Sequence, residues 1–392
     1  MTVLNAAAGL SLTGPPAPIR LLVIFGTRPE IIKLAPVVRA LETDPRFTPV
    51  VCSTGQHKEM LDQMLDTLQL APDYQLRLMR DRQTLSSLTS LAVKELGDVI
   101  QFEKPAAVLV QGDTTTCFCG ALAAFYEGIP VAHVEAGLRS GHLRNPFPEE
   151  LNRRLVAQMA RWHFAPTQRA ASNLHREGMD AATVAVTGNT GIDNLHWVLE
   201  HGLGNPRFRT RLRRVLVTLH RRENQGETMR GLANAVNRLA DRGDVEVLLP
   251  LHKSPAVRAA IGPILSDKQN ITLTEPLGYL DFTASLADAD LVLTDSGGIQ
   301  EEAPSFGKPV LVLRETTERP EAIEAGVARL VGTNPDAVYR AAAQLLDNAD
   351  EYSAMAQAVS PFGDGHAAAR IVSRLAADLA APSLASAPAL SR

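Results

Sequence analysis

Leu291-Val-Leu-Thr-Asp-Ser-Gly-Gly-Ile-Gln-Glu-Glu302 is the stretch on which the fold turns. A short apolar run, a buried strand by its length, ends in Asp295-Ser296, turns on Gly297-Gly298 and opens a helix. Paired glycines let the backbone approach a ligand, and a new helix N-terminus offers unpaired N–H groups and a partial positive charge. Together they make a seat for a phosphate or diphosphate. Glu301 and Glu302 follow on the first turn, where one of them can accept hydrogen bonds from a sugar hydroxyl. The plainer reading is an ordinary strand-to-helix turn with acids set against the dipole.

Outward from this stretch the same alternation repeats. Apolar runs at 21–25, 49–53, 107–110, 131–134 and 163–165 read as strands of one parallel sheet. Runs at 215–219, 245–249, 271–273, 291–293 and 310–313 read as a second. Strands apolar on both faces and separated by amphipathic segments indicate doubly wound α/β sheets. The chain divides into a first Rossmann-like domain over 19–190 and a second over 191–365, with turn residues around 202–206. Residues 366–380 form a helix that can return to the first domain, and 1–18 and 381–392 read as a disordered leader and tail.

The composition is that of an ordinary globular protein: 392 residues, 45% hydrophobic, 21% charged, net charge -4. That charge gives no reason to expect nucleic acid or an anionic membrane surface. No run of 18 apolar residues implies a transmembrane helix, and the first residues lack a basic signal-peptide region. Cys52, Cys117 and Cys119 cannot build a disulfide framework, and no Cys/His spacing suggests a metal site, so a reducing, cytoplasmic setting is expected. The basic run 207–214 reads as a solvated helix in the connection between the sheets.

The polar residues least expected in their surroundings follow strand ends, where open α/β sheets bind ligands. Two sheets facing each other would pool them in one cleft. Arg28, in Phe25-Gly-Thr-Arg-Pro-Glu30, and Lys33 on the helix that follows can face an anion; their plainer reading is a surface arginine and a Glu30–Lys33 helix pair. Asp113 after Val108-Leu-Val-Gln-Gly112 is either a functional acid or the N-cap of the next helix. Glu135 ends a buried strand and needs a partner, whereas Glu149 stands at a helix start that favours acids anyway. Three carboxylates on one rim suggest acid/base chemistry, with neighbouring like charges raising some of their pKa values. His220 and His252 stand at equivalent strand ends of the second sheet, one beside two arginines, and favour anion contact; Arg319 in the loop 316–321 is either a further diphosphate ligand or part of a surface loop. The chain has no G-x-G-x-x-G and no P-loop, so neither a nicotinamide cofactor nor a P-loop nucleotide is indicated.

Between Leu21 and Gly365 the chain resembles the non-hydrolysing UDP-N-acetylglucosamine 2-epimerases. The resemblance is carried by Phe25-Gly-Thr-Arg-Pro-Glu30, Gly112-Asp-Thr-Thr-Thr116, His133-Val-Glu-Ala-Gly-Leu-Arg139, Pro148-Glu-Glu-Leu-Asn-Arg153, Gly188-Asn-Thr190, His220-Arg-Arg-Glu-Asn224, Asp295-Ser-Gly-Gly-Ile-Gln-Glu-Glu302 and Thr316-Thr-Glu-Arg-Pro-Glu321. It implies two Rossmann-like domains facing across a cleft, the B-type glycosyltransferase architecture, and epimerisation at C2 by elimination and re-addition of UDP, with no cofactor or metal. It further implies Asp113, Glu135 and Glu149 as acid/base groups with Lys33 and His220 in support. By the same carry-over Arg28, Ser296, Gly297, Gly298 and Arg319 bind the diphosphate, Glu302 the ribose, and Phe282 lies near the uracil. Gln56, His57, Arg82, Arg221 and His252 match positions of a second site where UDP-N-acetylglucosamine activates bacterial members, and relatives are usually homodimers supplying cell-surface polysaccharide. Leu219 departs from the small residue common before the histidine. The rival readings are a glycosyltransferase on the same fold, a hydrolysing epimerase and a non-catalytic UDP-sugar sensor.

Overall fold

Burial on both faces makes the apolar runs the central strands of two parallel sheets, seen in a computed structural model that describes residues 17–55, 58–80 and 82–379. In the first sheet β1 (Ile19–Phe25), β2 (Phe47–Ser53), β3 (Tyr74–Gln75), β4 (Ala107–Gln111), β5 (Val131–Val134), β6 (Ala160–Ala165) and β7 (Val184–Val186) lie in the order β3-β2-β1-β4-β5-β6-β7. In the second, β8 (Arg213–Thr218), β9 (Val245–Pro250), β10 (Ile271–Thr274), β11 (Leu291–Thr294), β12 (Val310–Val312) and β13 (Ala328–Leu330) lie in the order β10-β9-β8-β11-β12-β13. Each order reverses between its first and fourth strands in the chain, β1 and β4 or β8 and β11, which opens a crevice at the strands' carboxyl ends. The fold class expected from the sequence is the one observed.

All ten expected runs are strands. The three strands without a sequence signal, β3, β7 and β13, are two or three residues long and lie at sheet edges or next to no further strand. Their residues are mostly half-exposed, so they show no continuous apolar run. The basic run 207–214 corrects the sequence reading: it forms no helix. Pro206 precedes it, the buried carboxylate of Glu246 takes the backbone N–H groups of Arg209 and Thr210 at 2.6 and 2.8 Å, and Arg213 and Arg214 already belong to β8. The leader up to residue 16 and the tail 381–392 lie outside the described residues.

One core packs Leu21, Val23 and Phe25 of β1 against Ile31, Leu34 and Val38 of the helix Arg28–Thr43 and against Ile371, Val372 and Leu375 of the last helix, Ala367–Leu379. The Trp162 indole donates to Asp378 at 2.7 Å, fixing that helix on the first sheet. The second core gathers Val215, Val217, Leu232, Val236, Val247 and Leu293. Two strands of backbone therefore join the two halves, and they touch where Asn189 N–H donates to Phe362 O at 2.7 Å. Gly188 and Gly363 meet back to back there, at φ 95° and 127°, and a Cβ on either would stand 3.2 Å from the Cα of the other. Only glycine fits both the left-handed backbone and the gap.

Candidate active site

Thr27 begins the helix Arg28–Thr43 and donates its N–H and hydroxyl to Glu30, each at 2.8 Å. Glu30 also accepts from Gly26 N–H at 3.0 Å and from the Thr114 hydroxyl at 2.6 Å. One buried carboxylate thus joins the loop after β1 to the loop after β4. Burial, opposed only in part by these hydrogen bonds, pushes Glu30 up to about 7. The Glu30–Lys33 helix pair of the plainer reading is not made, because Glu30 points into the loops while Lys33 spans to the residue after β5 and pairs with Glu135. Thr114, not Asp113, caps the helix Thr115–Tyr126, accepting from Cys117 N–H at 3.0 Å. That releases the Asp113 carboxylate from a capping role, and it pairs with Arg153.

Glu135 stands immediately after β5 with φ 64°, a left-handed backbone that a glutamate rarely adopts. Such strain is retained where the surroundings over-determine it. Here Lys33 holds one carboxylate oxygen and the Gln111 amide the other. In Pro148-Glu149-Glu150 the structure separates two adjacent acids. Glu150 is fully buried, accepting from Ser140 N–H at 2.9 Å and pairing with Arg154 at 3.0 Å. Glu149, first residue of its helix, is half-buried and has no hydrogen bond or ion pair among the described residues. Asp113, Glu135 and Glu149 all stand at the carboxyl end of the first sheet, and two of them carry their own cation instead of facing each other as unpaired charges. Two other carboxyls, Glu30 and Glu302, are raised to about 7.

On the second sheet Asp295 ends β11 wholly buried. It accepts from the backbone N–H groups of His220 and Arg221 at 3.1 and 3.0 Å, from the Asn224 amide at 3.1 Å, and faces His220 Nδ1 at 3.1 Å. Burial works against its charge, but these donors outweigh it and hold the carboxyl below the usual range. His220 in turn stacks on His252 with ring centroids 6.0 Å apart. Arg221 donates to Asp295 O at 3.2 Å, and its guanidinium lies 3.6 Å from where a Gly297 side chain would begin.

Neither Gly297 nor Gly298 has a positive φ, and the α-helix after them is only Ile299–Glu302, continued as a tighter turn over Ala303–Phe306. A Cβ at Gly298 would meet nothing nearer than a Glu302 oxygen at 3.6 Å. No internal crowding excludes a side chain at either position. Ser296 opens the turn, its N–H bonded to Thr294 Oγ1 at 2.9 Å.

Of the two glutamates after the turn, Glu301 is engaged, accepting from the Asn189 amide at 2.7 Å and from Arg319. Glu302 makes no side-chain hydrogen bond among the described residues; burial first, then the neighbouring Glu301 charge, pushes it up to about 7. Phe282, Leu219, His220 and His252 line a cavity of about 200 Å³ beyond the ends of β8, β9 and β10. Leu219 is also 1% exposed in the second core, so it both packs and narrows that cavity. Arg28, exposed and without an ion pair among the described residues, borders a cavity of about 260 Å³ with Tyr279 and Met64.

Among the residues expected at a second site, Arg221 and His252 both lie beside His220. Arg82 is exposed at φ 57° ahead of the helix Leu85–Glu103 and bonds to neither of them, and Gln56 and His57 lie outside the described residues. Sequence reasoning gave no site role to Glu30, Gln111, Arg153, Asn189 or Asp295, and left Glu301 as an alternative to Glu302. Two of these carried a signal: Thr27-x-x-Glu30 is a capping-box pattern, and Asp295, like Glu135, is a carboxylate at a buried strand end.

The family profile described as UDP-N-acetylglucosamine 2-epimerase matches residues 39–376. The UDP-N-acetylglucosamine 2-epimerase of Bacillus subtilis strain 168 is 48% identical over 360 residues, covering 91% of this chain and 95% of its own. A solved putative UDP-N-acetylglucosamine 2-epimerase from Listeria monocytogenes superposes with TM-score 0.87 at 45% identity, covering 93% of this chain and 97% of its own. The Neisseria meningitidis UDP-GlcNAc 2-epimerase, solved bound to UDP-GlcNAc, gives 0.79 at 44% identity over 91% and 99%. For the fold alone, Acinetobacter baumannii MurG superposes at TM-score 0.60 with 14% identity, covering 91% of this chain and 99% of its own.

Proposed function

The chain belongs to the UDP-N-acetylglucosamine 2-epimerase family, and from that premise we propose that it interconverts UDP-N-acetylglucosamine and UDP-N-acetylmannosamine by eliminating and re-adding UDP. A base takes the C2 proton while the C1–O bond breaks and its electrons leave with UDP, giving 2-acetamidoglucal and bound UDP. UDP then adds back to C1 as a proton reaches the other face of C2.

One observation carries the reading: carboxylates of the first sheet, with Glu135 gripped by Lys33, stand across the cleft from a glycine turn flanked by His220, Arg221 and Arg319. UDP departs as an anion, so the chief demand on the site is fixed positive charge at the diphosphate. In this proposal the turn Ser296-Gly297-Gly298 holds the diphosphate with Arg28, His220 and Arg319, Glu302 takes the ribose, and Phe282 borders the uracil. Asp113, Glu135 and Glu149 serve the two faces of C2, and Lys33 orients Glu135.

The finer expectations belong here too. UDP-N-acetylglucosamine as activator fits beside Arg221 and His252. A homodimer fits the apolar patch formed by Phe102, Phe125 and Tyr126, which are 77%, 59% and 68% exposed at neighbouring helix ends. The cell supplies the substrate in the cytoplasm and uses the product for surface polysaccharide. The deciding experiment is proton NMR of UDP-N-acetylglucosamine with the protein in D₂O, without an acceptor. UDP-N-acetylmannosamine with deuterium at C2 of both sugars is expected; UDP binding without exchange would reject epimerisation and favour a transferase.

A further inference from the structure

Glu301 donates its backbone N–H to Gly298 O at 2.9 Å, but its carboxylate turns away from the glycine turn to Asn189 and Arg319. It is 8% exposed. One oxygen accepts from Asn189 Nδ2 at 2.7 Å, the other from Arg319 Nε. The Asn189 amide has a single orientation, because its Oδ1 accepts from Gly191 N–H at 2.8 Å. Asn189 lies where the two connecting strands of backbone touch, beside the Gly188–Gly363 contact.

Arg319 is held through two of its three guanidinium nitrogens. Nε goes to Glu301 and one terminal nitrogen to Glu318 O at 3.3 Å, while the other terminal nitrogen has no protein partner among the described residues. A guanidinium is rigid and planar, so fixing Nε fixes the direction of the remaining donors. Charges then alternate through the cleft: Glu135, Lys33, Glu301, Arg319. Burial works against the Lys33 charge, and the Glu135 and Glu301 carboxylates together more than restore it, against Arg319.

We propose that Glu301 is the positioning residue that aims Arg319 at the diphosphate and ties that aim to the connection between the two halves through Asn189. The proposal rests on the functional reading above and assigns no contact between Glu301 and substrate. Removing the Glu301 charge leaves Arg319 free to turn and sets two cations, Lys33 and Arg319, beside each other without their shared anion.

The test is a double-variant cycle on the full chain, with UDP affinity read by calorimetry, kcat and KM by NMR, and folding by thermal unfolding. Glu301→Gln is expected to weaken UDP binding about tenfold, the scale of one charge-assisted hydrogen bond at 1.4 kcal/mol per tenfold. It should raise KM more than it lowers kcat. In an Arg319→Ala background the same change should alter UDP affinity by less than about twofold, because the group it aims is gone. Arg319→Lys, which keeps the charge without the fork, should bind UDP as weakly as Arg319→Ala. Multiplying effects in the double variant, wild-type affinity in Glu301→Gln, or wild-type affinity in Arg319→Lys would each overturn the positioning role; the lysine variant decides it should Glu301→Gln fail to fold. A wild type that binds UDP without epimerising overturns the functional reading alone and leaves the coupling measurable. A wild type that does not bind UDP overturns both.

Discussion

Asp295→Asn is the sharpest perturbation of the second sheet's site. The carboxylate is fully buried and serves four donor groups: the N–H of His220 and of Arg221, the Asn224 amide, and His220 Nδ1. An asparagine oxygen in the place of Oδ2 keeps the two backbone donors and Asn224. Its NH₂ then faces His220 Nδ1, so the ring must accept there instead of donating. His220 can still donate from Nε2, but without the anion behind the ring that strengthens that donor. Charge-assisted hydrogen bonds are roughly twice as strong as neutral ones, so the lost increment on the diphosphate is about 1–1.5 kcal/mol, roughly a tenfold weaker UDP affinity. The folded state also loses a charged acceptor. A net cost of about 2 kcal/mol should lower the unfolding midpoint by ~4–8 °C for a domain of this size. Calorimetric titration with UDP and scanning calorimetry read the two effects separately. UDP affinity within twofold of wild type, alongside the lowered midpoint, would refute the reasoning: Asp295 would then stabilise the loop without governing His220. Should the variant be too unstable to titrate, His220→Asn probes the same contact and must show the same affinity loss.

Three other outcomes are expected. Glu135→Gln should leave UDP affinity nearly intact while deuterium exchange at C2 falls at least ~10²-fold, since Gln keeps the side chain's shape but not its basicity; wild-type turnover would remove Glu135 from the chemistry. Glu30 has a folded pKa raised from 4.5 to about 7, so the folded state holds a proton that the unfolded chain releases, and stability from this group falls as pH rises from about 4.5 to about 7, by up to about 3 kcal/mol. Buried His133, lowered to about 3, works in the opposite sense between about 3 and 6.5, so the readout is the difference between wild type and Glu30→Gln in urea unfolding across pH; parallel curves would contradict a buried, proton-holding Glu30. Phe125→Asp, beside Phe102 and Tyr126 on helix ends joined by the Gln101–Glu127 hydrogen bond, should halve the mass seen by light scattering, and an unchanged dimer would move the interface elsewhere.

Sequence alone determined the fold class and the addresses of the candidate residues. Strands buried on both faces must be apolar throughout, so β1, β4, β8 and β11 announce themselves, and polar residues just past their ends stand out against that background. The short strands β3, β7 and β13, mostly half-exposed, carry no such mark. Which acid is engaged and which is left open was decided only in three dimensions. Glu149 and Glu150, or Glu301 and Glu302, are chemically identical neighbours in the chain; their difference is the direction each faces, toward Ser140 and Arg154, toward Asn189 and Arg319, or toward no hydrogen-bonding partner among the described residues. The partners that set this come from 10, 18 and 112 residues away, and only the Arg154 contact is local. Hydrophobic burial is a property of each residue and is written locally, whereas pairing a buried charge is a property of two places in the chain, and only folding brings them to within a hydrogen bond.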